Sequence, residues 1–178
     1  MTVALAVSDF LVARAQAGDE AALEALYRAF ETPVYNLARR MLRNAEDAED
    51  VLQETFLEVV KSIRDYRGEG YLWGWIRRIA ATKALMRIRR EQLRATEPLD
   101  DEHGKMGMHV GANLDLERAF EQLTDTSRAV VWLHDVEGYT HEEISELMGK
   151  SVSFSKSQLA RAHARLRGLL GEGEGARA

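Results

Sequence analysis

The sequence predicts an all-α fold of two small helical domains joined by a flexible linker, the second a helix-turn-helix. Three observations lead there. Apolar residues recur at three- and four-residue steps along nearly the whole chain, with no convincing alternation of the kind a strand shows. From Ala95 to about Asp115 that periodicity fails, in a stretch ("TEPLDDEHGKMGMHVGAN") holding Pro98, three glycines and a cluster of acids. Near the C-terminal end a short amphipathic segment, a glycine and a longer basic segment follow one another. The predicted boundaries are a first domain over 1–94, a linker over 95–116, the helix-turn-helix domain over 117–170 and a disordered tail over 171–178, too poor in apolar residues to fold.

The elements follow in order. Ser8 is placed to cap a first short helix, which Gly18-Asp19 ends. Leu23, Leu26, Tyr27 and Phe30 share one helical face. Thr32-Pro33 reads as an N-cap followed by proline at the first helical position, so a new helix is expected there, with Val34, Leu37, Ala38, Met41 and Leu42 inward. Asn44 is placed to cap the next helix, whose first turn is acidic where the dipole favours it; its apolar stripe is Val51, Leu52, Phe56, Val60 and Ile63. "RDYRGEGY", with Gly68 and Gly70, is a loop, and a long helix follows with Leu72, Trp75, Ile76 and Ile79 inward and its arginines outward. After the linker, helical pattern runs from Leu116 to Leu170, broken at Asp125 and Gly138.

Composition narrows the function classes. The 178 residues are 46% hydrophobic and 30% charged, enough to bury cores, and cysteine is absent, which excludes disulfides, a zinc–thiolate site and thiol catalysis. No apolar run approaches the length of a membrane span, and "MTVALAVSDF" lacks a basic n-region and a long apolar core, so a cytoplasmic protein without membrane insertion is expected. A net charge of −5 argues against a nucleic-acid coat, but its distribution is uneven. Leu72 to Arg94 holds seven basic residues against Glu91 alone, and Lys150 to Leu170 holds five and no acid. Two basic stripes on an acidic chain suit two local nucleic-acid contacts; two solvated helix faces are the competing reading.

The C-terminal stretch is the most informative. Thr140 and Glu143 have capping-box spacing, Ile144, Leu147 and Met148 give a short helix one buried face, and Gly149 tolerates the left-handed geometry that ends it. Ser151 is placed to cap the following helix, along one side of which run Val152, Ser155, Leu159, Ala162 and Leu166. The other side carries Ser153, Lys156, Ser157, Gln158, Arg161 and Arg165, groups suited to a major groove, with the cations on phosphates and Gln158 on a base edge. An ordinary helical hairpin with a wet basic face is the alternative.

In the first half, "DAEDVLQETF" places Asp47, Asp50 and Glu54 on one helix face. Such a face can hold magnesium, but that needs a second acidic cluster opposite or a substrate-gripping basic site beside it, and the next helix offers basic groups but few acids; His141-Glu142-Glu143 also lacks the second histidine of a zinc helix. With Gln53 and Phe56 alongside, the density of acids points to a contact surface for a basic partner. Further on, Tyr66, Tyr71, Trp73 and Trp75 lie beside Arg67, Arg77 and Arg78. Aromatic faces stack unpaired bases while arginines hold the backbone, and a glycine-containing loop can form a pocket for a base taken out of the stack. Trp75 falls on the apolar stripe and is expected in the core, leaving Tyr66, Tyr71 and Trp73 for bases. "HGKMGMH" (His103 to His109) reads as linker rather than a soft-metal site.

"DAEDVLQETF", then "WIRRIAATKALMRIRR", then a linker, then "SRAVVWLHDVEGYTHEEISELMGKSVSFSKSQLARAHARL" resembles the extracytoplasmic-function (ECF) class of bacterial sigma factors, over roughly residues 8–94 and 117–170. The resemblance implies a non-enzymatic subunit of RNA polymerase with no catalytic residues, cofactor or metal. It implies that Asp47, Asp50, Gln53, Glu54 and Phe56 dock on the polymerase core at the β′ clamp, and that the chain also meets the β subunit. It implies that Tyr66, Arg67, Tyr71, Trp73, Arg77, Arg78, Lys83, Arg87 and Arg90 capture the melted minus-ten element, that Ser153, Lys156, Ser157, Gln158, Arg161 and Arg165 read the minus-35 duplex, and that the linker threads toward the RNA exit path. An anti-sigma factor and a nucleoid-associated active state are part of the same expectation. The chain departs from the pattern at Thr82 and Met86, where asparagine and aspartate are usual, and at Ser153, Phe154, Ser155 and Gln158, in place of the commoner glycine, threonine, valine and arginine. Ser155 falls inward, where it is expected to weaken packing. Two other functions remain open on sequence: a helix-turn-helix regulator acting without polymerase, and a metal-dependent helical hydrolase using Asp47, Asp50 and Glu54.

Overall fold

The computed structural model describes residues 7–68, 71–95 and 114–175. Among them every regular element is helical, and the chain divides into two compact units, Met1–Arg87 and Ile88–Ala178. Most of the expected linker, with Pro98, His103 and His109, lies outside the described residues.

In the first unit, Ser8 caps α1 (Asp9–Gln16), its hydroxyl accepting from the Leu11 amide. Gly18, at φ +85°, turns the chain, and the Asp19 carboxylate accepts from the amides of Ala21 (3.0 Å) and Ala22 (3.2 Å) to start α2. The helix expected to begin at Thr32-Pro33 does not: α2 is one helix from Glu20 to Leu42, with Pro33 inside it. A proline there removes one backbone donor and costs ~3 kcal/mol. The buried run Leu26, Phe30, Val34, Leu37, Met41 crosses the proline in register and offsets that cost. Arg43 ends α2 in the left-handed region (φ 63°), and Asn44 caps α3 (Ala45–Ser62) by accepting from the amides of Glu46 and Asp47. A 3-10 turn (Ile63–Asp65) and a loop lead to α4 (Leu72–Ala95).

Two inward faces differ from expectation. On α3 the buried positions are Ala48, Val51, Thr55, Phe56 and Val59, while Val60 is exposed; Thr55 is tolerated because its hydroxyl donates back to the Val51 carbonyl at 2.6 Å. On α4 the buried positions include Leu72, Ile76, Ala80, Ala84 and Ile88, whereas Trp75 and Ile79 are half-buried.

In the second unit α8 (Val152–Gly175) packs against α5 (Leu114–Glu121), α6 (Asp125–Val131) and α7 (His141–Met148). Thr124 caps α6. Between α6 and α7 lies a π-helical turn, Trp132–Val136, that no sequence signal announced. Arg128 is buried in this unit; its guanidinium pairs with Asp125 and donates to the Leu123 carbonyl at 3.2 Å. Thr140 and Glu143 form the capping box, Gly149 closes α7 at φ 61°, and the Ser151 hydroxyl accepts from the Phe154 amide (3.1 Å) to open α8. α8 extends to Gly175, into the stretch expected to be a disordered tail; once a helix is nucleated, each added residue brings a hydrogen bond at low cost.

Candidate nucleic-acid interface

The acidic face of α3 does not stand clear of the rest of the chain. Arg87 of α4 donates from Nε to Asp47 Oδ1 (2.8 Å) and from one terminal nitrogen to both Asp47 and, at 2.9 Å, Asp50 Oδ2. Burial disfavours the Arg87 charge, but the two carboxylates outweigh it and push its pKa up. One turn earlier, Lys83 pairs with Glu58 at 3.6 Å. Lys83 and Arg87, expected to point outward to DNA, thus face α3. The reason is legible in retrospect: Ile76, Ala80, Lys83 and Arg87 step by four, three and four, so they share the inward side of α4. Of the other expected docking residues, Gln53 and Glu54 are exposed, whereas the Phe56 ring is only 7% exposed and sits edge-on to Tyr27, 4.8 Å between centroids.

The aromatic-basic segment builds a cavity of about 420 Å³ lined by Asp65, Tyr66, Arg67, Tyr71, Gly74, Trp75 and Arg78. That lies in the range of small-ligand clefts, ~300–1,000 Å³. The roles of the two tryptophans are exchanged relative to expectation. Trp73 stacks on core Phe30 (5.7 Å, nearly parallel), while Trp75 forms part of the cavity wall, tilted against Tyr66 at 5.2 Å. Tyr71 is 85% exposed at the mouth, and burial holds the Tyr66 hydroxyl above its ordinary pKa. Gln16 is a residue the sequence did not single out. Its amide donates to the carbonyls of Ile63 (3.1 Å) and Tyr66 (2.7 Å), tying α1 to the backbone that carries the cavity. Arg67, Arg78 and Arg90 are exposed and Arg77 is half-buried.

On α8, Ser153, Lys156, Ser157, Arg161 and Arg165 are exposed on one side; Arg165 reaches Gln122 at 3.3 Å. Gln158 is turned inward instead: its carbonyl oxygen accepts from the Ser127 hydroxyl of α6 at 3.0 Å. Ser155 is fully buried, yet it is joined by a 2.9 Å hydrogen bond to Nδ1 of His141, the first residue of α7. The His141 ring stacks on His134 (4.6 Å), and Asp135 bridges His134 (2.8 Å) and His163 (2.6 Å). Burial, then the neighbouring His134 and Lys156, lower the His141 pKa. Burial opposes ionisation of Asp135, but its hydrogen bonds to His134 and His163 prevail and lower its pKa.

Residues 26–94 match the Sigma-70 region 2 family and residues 113–166 the Sigma-70 region 4 family. The ECF RNA polymerase sigma factor SigM of Mycobacterium tuberculosis is 32% identical over 163 residues, covering 90% of this chain and 83% of that protein. This chain belongs to the ECF sigma factors. Members of that family direct RNA polymerase to promoters. The RNA polymerase sigma factor CarQ of Myxococcus xanthus is also 32% identical, over 87% of this sigma factor and 92% of CarQ. Two solved structures share its fold: CnrH, in complex with the cytosolic domain of CnrY (TM-score 0.56, 22% identity, 92% of this chain and 96% of that one), and the sigma factor RpoE of Bartonella quintana, in complex with the anti-sigma factor NepR (TM-score 0.59, 18% identity, 83% and 96%). Among the described residues no helix is long and apolar enough to cross a membrane.

Proposed function

We propose that this sigma factor docks on core polymerase through the outer face of α3 around Gln53 and Glu54, takes a base of the melted minus-ten strand into the α4 cavity, and lays the exposed side of α8 in the minus-35 major groove. The observation that carries the reading is the cavity, where Tyr66 and Trp75 make an aromatic wall and Arg67 and Arg78 bring positive charge to the same rim. A flipped base needs a flat apolar face to replace its lost stacking, and the phosphates on either side need cations. On α8, Lys156, Arg161 and Arg165 hold phosphates, while Ser153 and Ser157 face base edges. The chain carries no catalytic residue, and polymerase performs the chemistry. It acts in the cytoplasm, on the nucleoid. Its boundaries follow the sequence: a melting domain to residue 94, a tether, and the helix-turn-helix over 117–170. An anti-sigma factor that covers both DNA-binding faces regulates it, in line with the inhibitor-bound state of its structural relative RpoE.

The metal-hydrolase reading is disfavoured because Asp47 and Asp50 already hold a guanidinium. Reconstitution tests the proposal. Core polymerase, this chain and a promoter carrying 2-aminopurine through its minus-ten strand should give a fluorescence rise on opening. Trp75→Ala should abolish the rise while leaving core binding intact. Specific duplex binding by the free chain, with no gain on adding core, would instead favour an ordinary regulator.

A further inference from the structure

Resting on the reading that α3 docks on polymerase, we propose that Arg87 is a positioning residue of that docking face rather than a contact to promoter DNA. Asp47 and Asp50 lie one turn apart on α3, and two carboxylates at that spacing repel each other and wander between rotamers. Arg87 answers both at once, with Nε and a terminal nitrogen on Asp47 and the same terminal nitrogen on Asp50. A planar fork does this where an ammonium does not. The pair with Asp47 is well sheltered, the two side chains being 23% and 20% exposed, while Asp50 at 45% keeps a face to solvent. To reach a phosphate, Arg87 would have to leave two carboxylates for one anion and strand Asp47 half-buried, an exchange that loses charge-assisted bonds.

The polar groups of α3 therefore fall into two sets. Asp47, Asp50 and Glu58 are strapped to α4 through Arg87 and Lys83. Glu54, on the same face, and Gln53 and Glu49 beside it are exposed. The strap also makes one rigid piece of the face that meets the polymerase and the helix whose first turns wall the base cavity, so docking sets where the cavity lies over the DNA.

The test compares wild type, Arg87→Met and Arg87→Lys in two assays: affinity for core polymerase, and the salt dependence of promoter binding by holoenzyme saturated with the variant. Arg87→Met should weaken core affinity about tenfold, with Arg87→Lys intermediate, and leave the salt slope of promoter binding unchanged. The loss should be non-additive with Asp47→Asn and additive with Glu54→Ala; a general loosening of the fold would not distinguish those two partners. Should Arg87→Met fold poorly by thermal melting, Arg87→Lys carries the same comparison. Unchanged core affinity in these variants overturns the proposal, as does a promoter-binding slope shallower by about one, the mark of a lost phosphate contact. If wild type itself fails to bind core, the failure lies in the docking reading and not in the role of Arg87.

Discussion

Replacing Ser155 by alanine should loosen α8, the helix proposed to lie in the minus-35 groove, by an amount the geometry allows to be worked out. Ser155 is fully buried in α8, and its hydroxyl makes a 2.9 Å bond to His141 at the start of α7. A neutral hydrogen bond contributes ~0.5–1.5 kcal/mol net, and leaving a buried partner unsatisfied costs ~1–3 kcal/mol. His141 is only half-buried, so water can reach part of its ring and the lower end applies. The expected loss is about 1.4 kcal/mol, which is about tenfold in an opening equilibrium. Hydrogen exchange reads it locally: the amides of Leu159 and Ala162 in α8 should exchange about tenfold faster, while those of α2 do not change. Ser155→Val puts an apolar residue there, but one methyl in place of the hydroxyl and a second beside it must enter a site with no exposed surface, so overpacking of ~1–3 kcal/mol cancels the gain in buried area. Unchanged exchange in Ser155→Ala, or losses that add in the double variant with His141→Leu, would refute the hydrogen bond as the cause.

Gln158→Ala should lower stability by about 1 kcal/mol through loss of the bond from Ser127, and leave base preference across the minus-35 element unchanged; a relaxed preference at one base would show that its amide also reads DNA. Gln16→Ala should slow strand opening severalfold with core affinity unchanged, because the Tyr66 carbonyl loses the Gln16 donor and the Ile63 carbonyl keeps only the Tyr66 amide; wild-type opening rates would show that α1 does not brace the cavity. His141, whose folded pKa lies below its unfolded value of ~6.5, makes the unfolded chain take up a proton first as the medium is acidified. Stability of the helix-turn-helix unit should therefore fall as pH drops below about 7, in denaturant midpoints taken between neutral pH and the mildly acidic range. His141→Asn should flatten that dependence, and an unchanged profile in the variant would assign the effect to other groups.

Much of this was open to sequence reasoning because it depends on neighbours close along the chain. Asn44, Thr140 with Glu143, Gly149 and Ser151 were each identified from spacing, since a cap involves only residues within one turn. Long-range pairings were not. Pro33 looked like a helix start because local preference says so, and only the buried stripe from Leu26 to Met41 reveals why the helix continues. Charge alone suggests solvent, so the sequence points every arginine of α4 outward; the carboxylates facing Arg87 lie 40 and 37 residues earlier. Trp73 and Trp75 differ by two positions and so leave α4 about 200° apart; only the position of Phe30, far earlier in the chain, shows that Trp73 is the one that packs on it. Ser155 read as a packing fault because its partner, fourteen residues away, is a histidine with no role in the motif. The Arg87 pairing cuts across a division of labour in which acids meet polymerase and cations meet DNA, since it places two of the expected docking carboxylates against an expected DNA-binding cation.

That division is tested most directly by crossing two double variants with two readouts. Gln53→Ala with Glu54→Ala removes two exposed groups of α3, and Lys156→Ala with Arg161→Ala removes two exposed groups of α8. Affinity for core polymerase and promoter binding by saturated holoenzyme are then measured for each. The account predicts that the first variant loses core affinity about tenfold with promoter binding intact, and that the second keeps core affinity and binds promoter with a salt slope shallower by about two. Loss of core affinity in the α8 variant, or full core affinity in the α3 variant, would contradict it.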